Sequence, residues 1–249
     1  MAPTTVLITG GNRGLGEGLV KRFLAQSNHI VITGVRNPSH PTAQALADLP
    51  RGPGSTLITV QYDASSEQSA ADAVAKLRAE HGIQHLDIVV ANAGIAKIWP
   101  LVKDAKRTDV LEHYGVNVLG SVALYQATRD LLQQSMAKLV FVFIGSQAGS
   151  LGRRHPPLTN GVYGPTKSVL CWYSVRINAE DEWLTPFVLD PGWVQTDMGN
   201  EAARAWGLGE TAPIELNESV DGMYKVVTTA TKEVHGGKCV LYTGEVLEW

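Results

Sequence analysis

Val6-Leu7-Ile8-Thr9 runs straight into Gly10-Gly11-Asn12-Arg13-Gly14-Leu15-Gly16, and behind that loop Leu15, Leu19, Phe23 and Leu24 recur on one side of a helical pattern. A short apolar strand, a glycine turn and an amphipathic helix in this order restrict the chain to an α/β unit. They are also the context that a dinucleotide-binding loop needs. Gly10 can make the tight turn, Gly14 can let the backbone approach a pyrophosphate, and Gly16 can bring helix close to strand. The N–H groups that open the helix then face the phosphates. A glycine-rich turn after a strand can also be no more than a turn.

The alternation continues along the chain. Strands are predicted at Thr4–Thr9, His29–Val35, Thr56–Gln61, Leu86–Ala91, Leu139–Gly145, Thr185–Leu189 and Cys239–Tyr242. Helical patterns lie at Gly14–Gln26, Ser66–His81, Lys106–Gln134, Tyr163–Glu182 and Asn217–Thr231. Strands dense in Val, Ile and Leu without alternation imply burial on both faces, as in a parallel sheet. Strand–helix alternation with right-handed crossovers gives a single doubly wound (Rossmann) parallel sheet flanked by helices, class α/β. No repeat, low-complexity stretch or linker divides the 249 residues, and one domain over 1–249 is expected. Arg51-Gly52-Pro53-Gly54-Ser55 reads as a plain turn-rich loop.

Hydrophobic residues at 44% and charged residues at 18% supply an ordinary globular core. A net charge of -3 leaves no basic footprint, so nucleic acid is not an expected partner. Cys171 and Cys239 fall in apolar stretches and read as buried free thiols, with a disulfide between them left open. Met1–Thr5 carry no signal pattern and no apolar run reaches membrane-spanning length; the expectation is a soluble cytoplasmic protein with no membrane partner.

Tyr163-Gly164-Pro165-Thr166-Lys167 places a phenol and an ammonium four residues apart, on one face of a predicted helix. A fixed positive charge favours phenolate and draws the tyrosine pKa toward the working range. The pair therefore suits proton transfer to or from an alcohol oxygen while hydride moves at carbon. The second strand ends Thr33-Gly34-Val35-Arg36-Asn37-Pro38. An acid there would hydrogen-bond a free ribose 2′-hydroxyl. Arg36 stands in its place and can pair with a 2′-phosphate, with Arg13 as a second positive charge. The cofactor expected is NADP(H), unless both arginines are only solvated surface residues.

The glycine spacing is Gly-x-x-x-Gly-x-Gly. With Asp63 after the third strand, Asn92-Ala93-Gly94 after the fourth, Asn117, Ser146, Tyr163, Lys167 and Pro191-Gly192-Trp193-Val194-Gln195-Thr196, it resembles the short-chain dehydrogenase/reductase family over nearly the whole chain. The resemblance implies a cofactor held by Gly10, Asn12, Arg13, Gly14, Leu15, Gly16, Arg36, Asp63, Asn92, Ala93, Gly94, Tyr163, Lys167, Pro191, Gly192, Val194 and Thr196. It implies Tyr163 as the acid that protonates a carbonyl oxygen, with Lys167 lowering its pKa and holding the nicotinamide ribose. Ser146 positions the substrate oxygen, and Asn117 holds a water that links Lys167 to solvent. Asp63 meets the adenine edge, or serves as a helix cap. No metal is implied.

Two departures stand out. Ala91 replaces the family's first asparagine before Asn92-Ala93-Gly94, and the gap from Ser146 to Tyr163 is longer than usual. The extra residues fall in Gly152-Arg153-Arg154-His155-Pro156-Pro157-Leu158, expected as a loop at the active-site rim; Ser150 is a neighbouring candidate for the serine role.

Leu77-Arg78-Ala79-Glu80-His81-Gly82, Trp183-Leu184-Thr185-Pro186-Phe187, Asp190 through Gly199 and the tail Leu247-Glu248-Trp249 look like the norsolorinic acid ketoreductase group, fungal reductases related to sniffer-type carbonyl reductases. That implies a small-molecule carbonyl substrate, a bulky aromatic or apolar secondary metabolite of polyketide type. Residues 193–216 would be a substrate-binding lid, with Trp99, Trp193 and Trp206 around the pocket or else in ordinary packing. Pairing of the two long helices would give a homodimer or homotetramer, although related carbonyl reductases are sometimes monomers. The same fold and cofactor would also serve imine or enone reduction, or reduction coupled to cyclisation or epimerisation. A protein that merely senses NADPH would have no use for Ser146, Tyr163 and Lys167.

Overall fold

A computed structural model of the chain describes residues 2–152 and 158–248. Residues 153–157, the middle of the expected rim loop, lie outside the described residues, as do Met1 and Trp249.

Eight strands form one sheet: β1 (Thr4–Thr9), β2 (His29–Val35), β3 (Thr56–Gln61), β4 (Ile88–Ala91), β5 (Val140–Ile144), β6 (Thr185–Asp190), β7 (Cys239–Leu241) and β8 (Val246–Leu247). Their order is β3-β2-β1-β4-β5-β6-β7-β8, parallel throughout except for the antiparallel β7–β8 pair. The helices are α1 (Gly14–Leu24), α2 (Pro41–Gln44), α3 (Ser69–His81), α4 (Arg107–Tyr114), α5 (Gly120–Gln133), α6 (Tyr163–Glu180), α7 (Asp197–Ala205), α8 (Leu216–Thr229) and α9 (Lys232–His235). The fold is a doubly wound α/β sheet, as expected.

Successive strand residues point to opposite faces, and both faces are apolar. Leu7, Ile32, Val89, Phe141 and Phe143 meet α3, α5 and α6 through Leu77, Leu124, Leu131 and Leu170. Val6, Ile8, Val31, Val90, Val142 and Phe187 meet α1 and α8 through Leu19, Phe23, Val220 and Met223 on the other side. Asp181, at the end of α6, accepts from Arg129 Nη2 at 2.6 Å and Nε at 2.9 Å and from the Tyr125 hydroxyl, which ties α5 to α6. The two cysteines form no disulfide; Cys239 is buried and Cys171 half-buried.

The structure departs from sequence expectation at several places. The helix expected over Lys106–Gln134 is two helices joined by a π turn at Gly115–Leu119, which carries Asn117. The short β8 was not anticipated; two residues give too short an alternation to read. Helix α7 lies within the expected lid, where the sequence reading places no helix, yet its ends are well marked. Thr196 caps it by accepting from Gly199 N at 3.1 Å, Asp197 sits in the first turn and Arg204 in the last.

Candidate active site

Strand order reverses direction between β1 and β4, so the loops leaving their C-terminal ends diverge and open a crevice. Gly10 takes φ +68°, and a Cβ on Gly16 would overlap the Gly10 carbonyl oxygen, so the turn and the helix start can be this close only with glycine at both places. The loop is pinned from β4. Thr9 Oγ1 accepts from Asn92 N and Ala93 N, each at 3.0 Å, and Asn92 Nδ2 donates to Thr9 O at 2.8 Å and Gly10 O at 3.3 Å. Asn92 is thus committed to the protein backbone. Arg13 occupies the cap position of α1 in extended conformation and makes no side-chain cap, so no side chain of the cap residue covers the first-turn N–H groups of α1. Gly14 and Leu15 follow, half-buried. Asn12 Nδ2 donates to Thr42 Oγ1 at 2.6 Å, drawing the start of α2 to the loop.

Arg36 is exposed at the end of β2. Asp63, at the end of β3, is pushed up by burial, but the Ser65 hydroxyl and backbone N–H on its Oδ1 and the Arg36 charge outweigh that and hold it below the usual carboxylate range. Asp63 does not cap a helix, since α3 starts at Ser69 with Gln68 at its cap position; it closes a local turn on Ser65, and Arg36 lies close enough to be felt. Arg13 reaches across to Asp197 at 3.7 Å, an exposed pair of little energetic weight. Thr196 stands over the glycine loop: a Cβ on Gly14 would lie 3.5 Å from its Cγ2. Pro191 O accepts from Ser219 Oγ at 2.7 Å and Gly192 N donates to Asp190 Oδ1 at 2.8 Å. Val194 bridges to Ile214.

Ser146 leaves β5 and caps the next turn, its Oγ accepting from Ala148 N at 3.2 Å. The Tyr163 hydroxyl hydrogen-bonds the Ser146 side chain. Lys167 is 6% exposed; its Nζ donates to Ile144 O at 2.8 Å and lies 5.5 Å from the Tyr163 ring centre. Burial pushes the Lys167 ammonium down to about 8, against the opposing pull of Asp190. Tyr163 differs from the expectation of a lowered pKa. Its phenol is raised, first by burial and then by the Asp190 charge, with the Ser146 bond acting the other way. Lys167, with its Nζ held on Ile144 O, is not among the groups that shift it. In this setting Tyr163 is a protonated acid.

Asn117 is fully buried, and both amide hydrogens are used, to Ile95 O at 2.9 Å and Thr166 Oγ1 at 3.0 Å, while its Oδ1 accepts from Ile95 N at 2.8 Å. A Cβ on Gly94 would lie 3.2 Å from Asn117 Oδ1 and 3.8 Å from Lys167 Nζ, so Gly94, Asn117 and Lys167 share one wall. The π turn that delivers Asn117 is the kind of helix defect that recurs at functional sites.

Trp206 stacks edge-on with Trp99 (centres 6.1 Å apart) and with Trp193 (5.5 Å). The three tryptophans form one half-buried aromatic cluster. A cavity of about 260 Å³ adjoins Ser146, between Leu151, Trp172, Val175 and Cys239; neither Tyr163 nor Lys167 lines it.

Residues 4–206 match the family model described as short chain dehydrogenase. The chain belongs to the short-chain dehydrogenase family. It is an oxidoreductase of the carbonyl/alcohol class. This short-chain dehydrogenase is 42% identical to a norsolorinic acid ketoreductase of Dothistroma septosporum, over 99% of this chain and 92% of that protein. It is 39% identical to one of Emericella nidulans, over 99% and 94%. Among solved structures it resembles the NADPH-bound carbonyl reductase from chicken fatty liver, at 27% identity with a TM-score of 0.85 over the whole of both chains. It shares the fold of the Drosophila carbonyl reductase Sniffer, at 24% identity and TM-score 0.84 over the whole of both.

Sequence reasoning missed several supports of this dehydrogenase site. Asp190 is 1% exposed and acts on both Tyr163 and Lys167. His113 accepts from Lys97 N at 3.0 Å on Nε2, which leaves Nδ1–H to donate to Asp109 O at 2.7 Å, and so fixes the loop after Gly94. A lone histidine carried no signal. Asn160 Oδ1 accepts from Gly164 N at 3.0 Å at the head of α6, and an asparagine shortly before a helix is a readable cap.

Proposed function

We propose that this chain is an NADPH-dependent ketoreductase that reduces a bulky aromatic or apolar carbonyl compound of polyketide type. The observation that carries the reading is the Ser146–Tyr163 hydrogen bond with Lys167 beside the same ring. The nucleotide fits the chain on three counts: a helix start without a side-chain cap, a glycine turn with no room for a Cβ, and the exposed Arg36, beyond which no acid occurs until Asp48. Gly10, Asn12, Arg13, Gly14, Leu15 and Gly16 hold the pyrophosphate, with Arg36 on the 2′-phosphate and Asp63 toward the adenine. Asn92, Ala93, Gly94, Pro191, Gly192, Val194 and Thr196 line the nicotinamide side, and Lys167 meets its ribose. When bound, the reduced nicotinamide supplies the hydride.

The residues of the chain do the rest. Ser146 donates a hydrogen bond to the substrate oxygen and fixes it beside Tyr163. Tyr163, held protonated by burial, delivers its proton to that oxygen as negative charge develops there. Lys167 is pushed down to about 8, so it exchanges protons near neutral pH and can restore the phenol. Asn117 has no amide hydrogen left over; it positions the Gly94–Ile95 turn against Lys167. Residues 193–216 act as a lid whose indoles receive a flat ring.

The 42% identity to a norsolorinic acid ketoreductase supports the polyketide-type substrate, and the NADPH-bound carbonyl reductase supports the cofactor. The test is a screen of bicyclic aryl ketones against small aliphatic ketones with NADPH. Preferential oxidation of NADPH with the aryl ketones is expected; turnover of imines or enones alone would overturn the reading.

A further inference from the structure

Four contacts converge on residues 158–164, the strap that leads into the catalytic helix. Trp206 Nε1 donates to Thr159 O at 3.0 Å. Asn160 Oδ1 accepts from Gly164 N at 3.0 Å, and Gly161 N donates to Pro100 O at 2.8 Å. Gly161 also packs so closely on Leu101 and Val102 that a Cβ would lie 2.9 Å from Val102 N. Tyr163 is therefore held at the first residue of α6 by a strap with two anchors. One anchor is the stretch from Pro100 to Val102 in the segment after β4. The other is the end of α7, through a single indole N–H.

Among the described residues, Trp206 is the member of the aromatic cluster that bonds to this strap. Trp193 shares the ring contacts but sends its Nε1 to Gly199 O, at 2.9 Å, within its own segment. Thr166 adds the last link, since its Oγ1 donates to Tyr163 O at 2.7 Å and accepts from Asn117. The backbone of Tyr163 is thus fixed from below by the π turn and from the front by the strap.

We propose that Trp206 is a positioning residue for Tyr163: its indole latches α7 to the strap, so that seating of the segment over the cleft and alignment of the proton donor are one event. This rests on the ketoreductase reading for its kinetic consequence, but not for its structural one. A hydrogen bond to a backbone carbonyl at an edge-stacked ring is directional, whereas the ring contacts alone tolerate sliding.

The experiment compares the parent with Trp206→Phe, which keeps a ring and loses the donor, and with Trp193→Phe, which loses the Gly199 bond instead. Amide hydrogen exchange is measured over residues 158–164 and 197–203 without substrate. Exchange over 158–164 should rise by about threefold to tenfold in Trp206→Phe, the range set by one lost hydrogen bond. It should stay at the parent level in Trp193→Phe, where only 197–203 quickens. With 2-acetonaphthone and NADPH, kcat of Trp206→Phe should fall by about tenfold, as small misplacement of a reacting group does, while the NADPH dissociation constant stays put. Parent-like exchange over 158–164 in Trp206→Phe would overturn the latch, as would an equal rise in both variants, which would mean general loosening. If the parent fails to reduce any ketone, the ketoreductase reading falls and the exchange comparison still decides the latch. An active parent with unchanged kcat and exchange in Trp206→Phe removes the latch alone.

Discussion

At Tyr163 two influences act in one direction and a third opposes them: burial and the Asp190 charge raise the phenol, and the Ser146 bond lowers it. The residue suits a donor that must stay protonated until the substrate oxygen becomes basic. Tyr163→Phe keeps the ring and removes that proton. Steady-state assays should show carbonyl reduction falling by ~10²–10⁴, the range for a lost general acid, while fluorescence titration shows NADPH affinity little changed. Lys167 has a pH signature. Its folded pKa, about 8, lies below the 10.5 of a free lysine, so between these values the unfolded chain binds more protons and stability rises with pH. As pH falls through 8 that contribution is lost. Denaturant melts should show the parent gaining roughly 3 kcal/mol on Lys167→Met between pH 8 and 10.5; a flat difference would refute the depression. Arg36→Asp should weaken NADPH and strengthen NADH, read by titrating both; equal affinities in the unaltered chain would refute the 2′-phosphate assignment.

Among the elements, the glycine loop shows how local sequence and distant support combine. Gly16 touches the Gly10 carbonyl, and Asn92 and Thr9 fasten the same turn. Gly16→Ala must push against backbone. A loss of about 1–3 kcal/mol in denaturant melts is expected, the usual cost of overpacking, together with weaker NADPH binding. The strand cores and the helices were legible because apolar runs and helical spacing are local signals. Strand β4 begins at Ile88, two residues later than read; just ahead of it Asp87 N donates to Thr5 O and the Asp87 carboxylate accepts from Thr5 N at 2.7 Å. The π turn was not legible: Gly115-Val116-Asn117-Val118-Leu119 has an ordinary helical composition, and only the pull of Ile95 and Thr166 on Asn117 shows why the turn widens. Asn117, Ser146, Tyr163 and Lys167 were legible as types at spacings. The direction of the Tyr163 pKa was not, since Lys167 donates to Ile144 and Asp190 arrives from another strand.

Over the whole molecule, no described helix is long and apolar enough to cross a membrane, and the described residues show no cluster of three His, Cys, Asp or Glu that could hold a metal. The touching helices α4 and α6 carry exposed apolar side chains, Leu111 at 57% and Trp172 at 62%. We expect a homodimer or homotetramer that covers them. Light scattering over a hundredfold dilution checks this, and a monomer at every concentration would refute it. The position of β1 has a further consequence for synthesis. Its partners are β2 on one side and β4 on the other, so a nascent chain that has emerged only as far as β3 carries Val6, Leu7 and Ile8 on a raw parallel edge. The loop that will bind phosphate has its backbone but not its clamp until Asn92 leaves the ribosome. The first motif written in the sequence is therefore among the later ones to become functional, and in the interval its open edge is the part of the chain most exposed to misassembly.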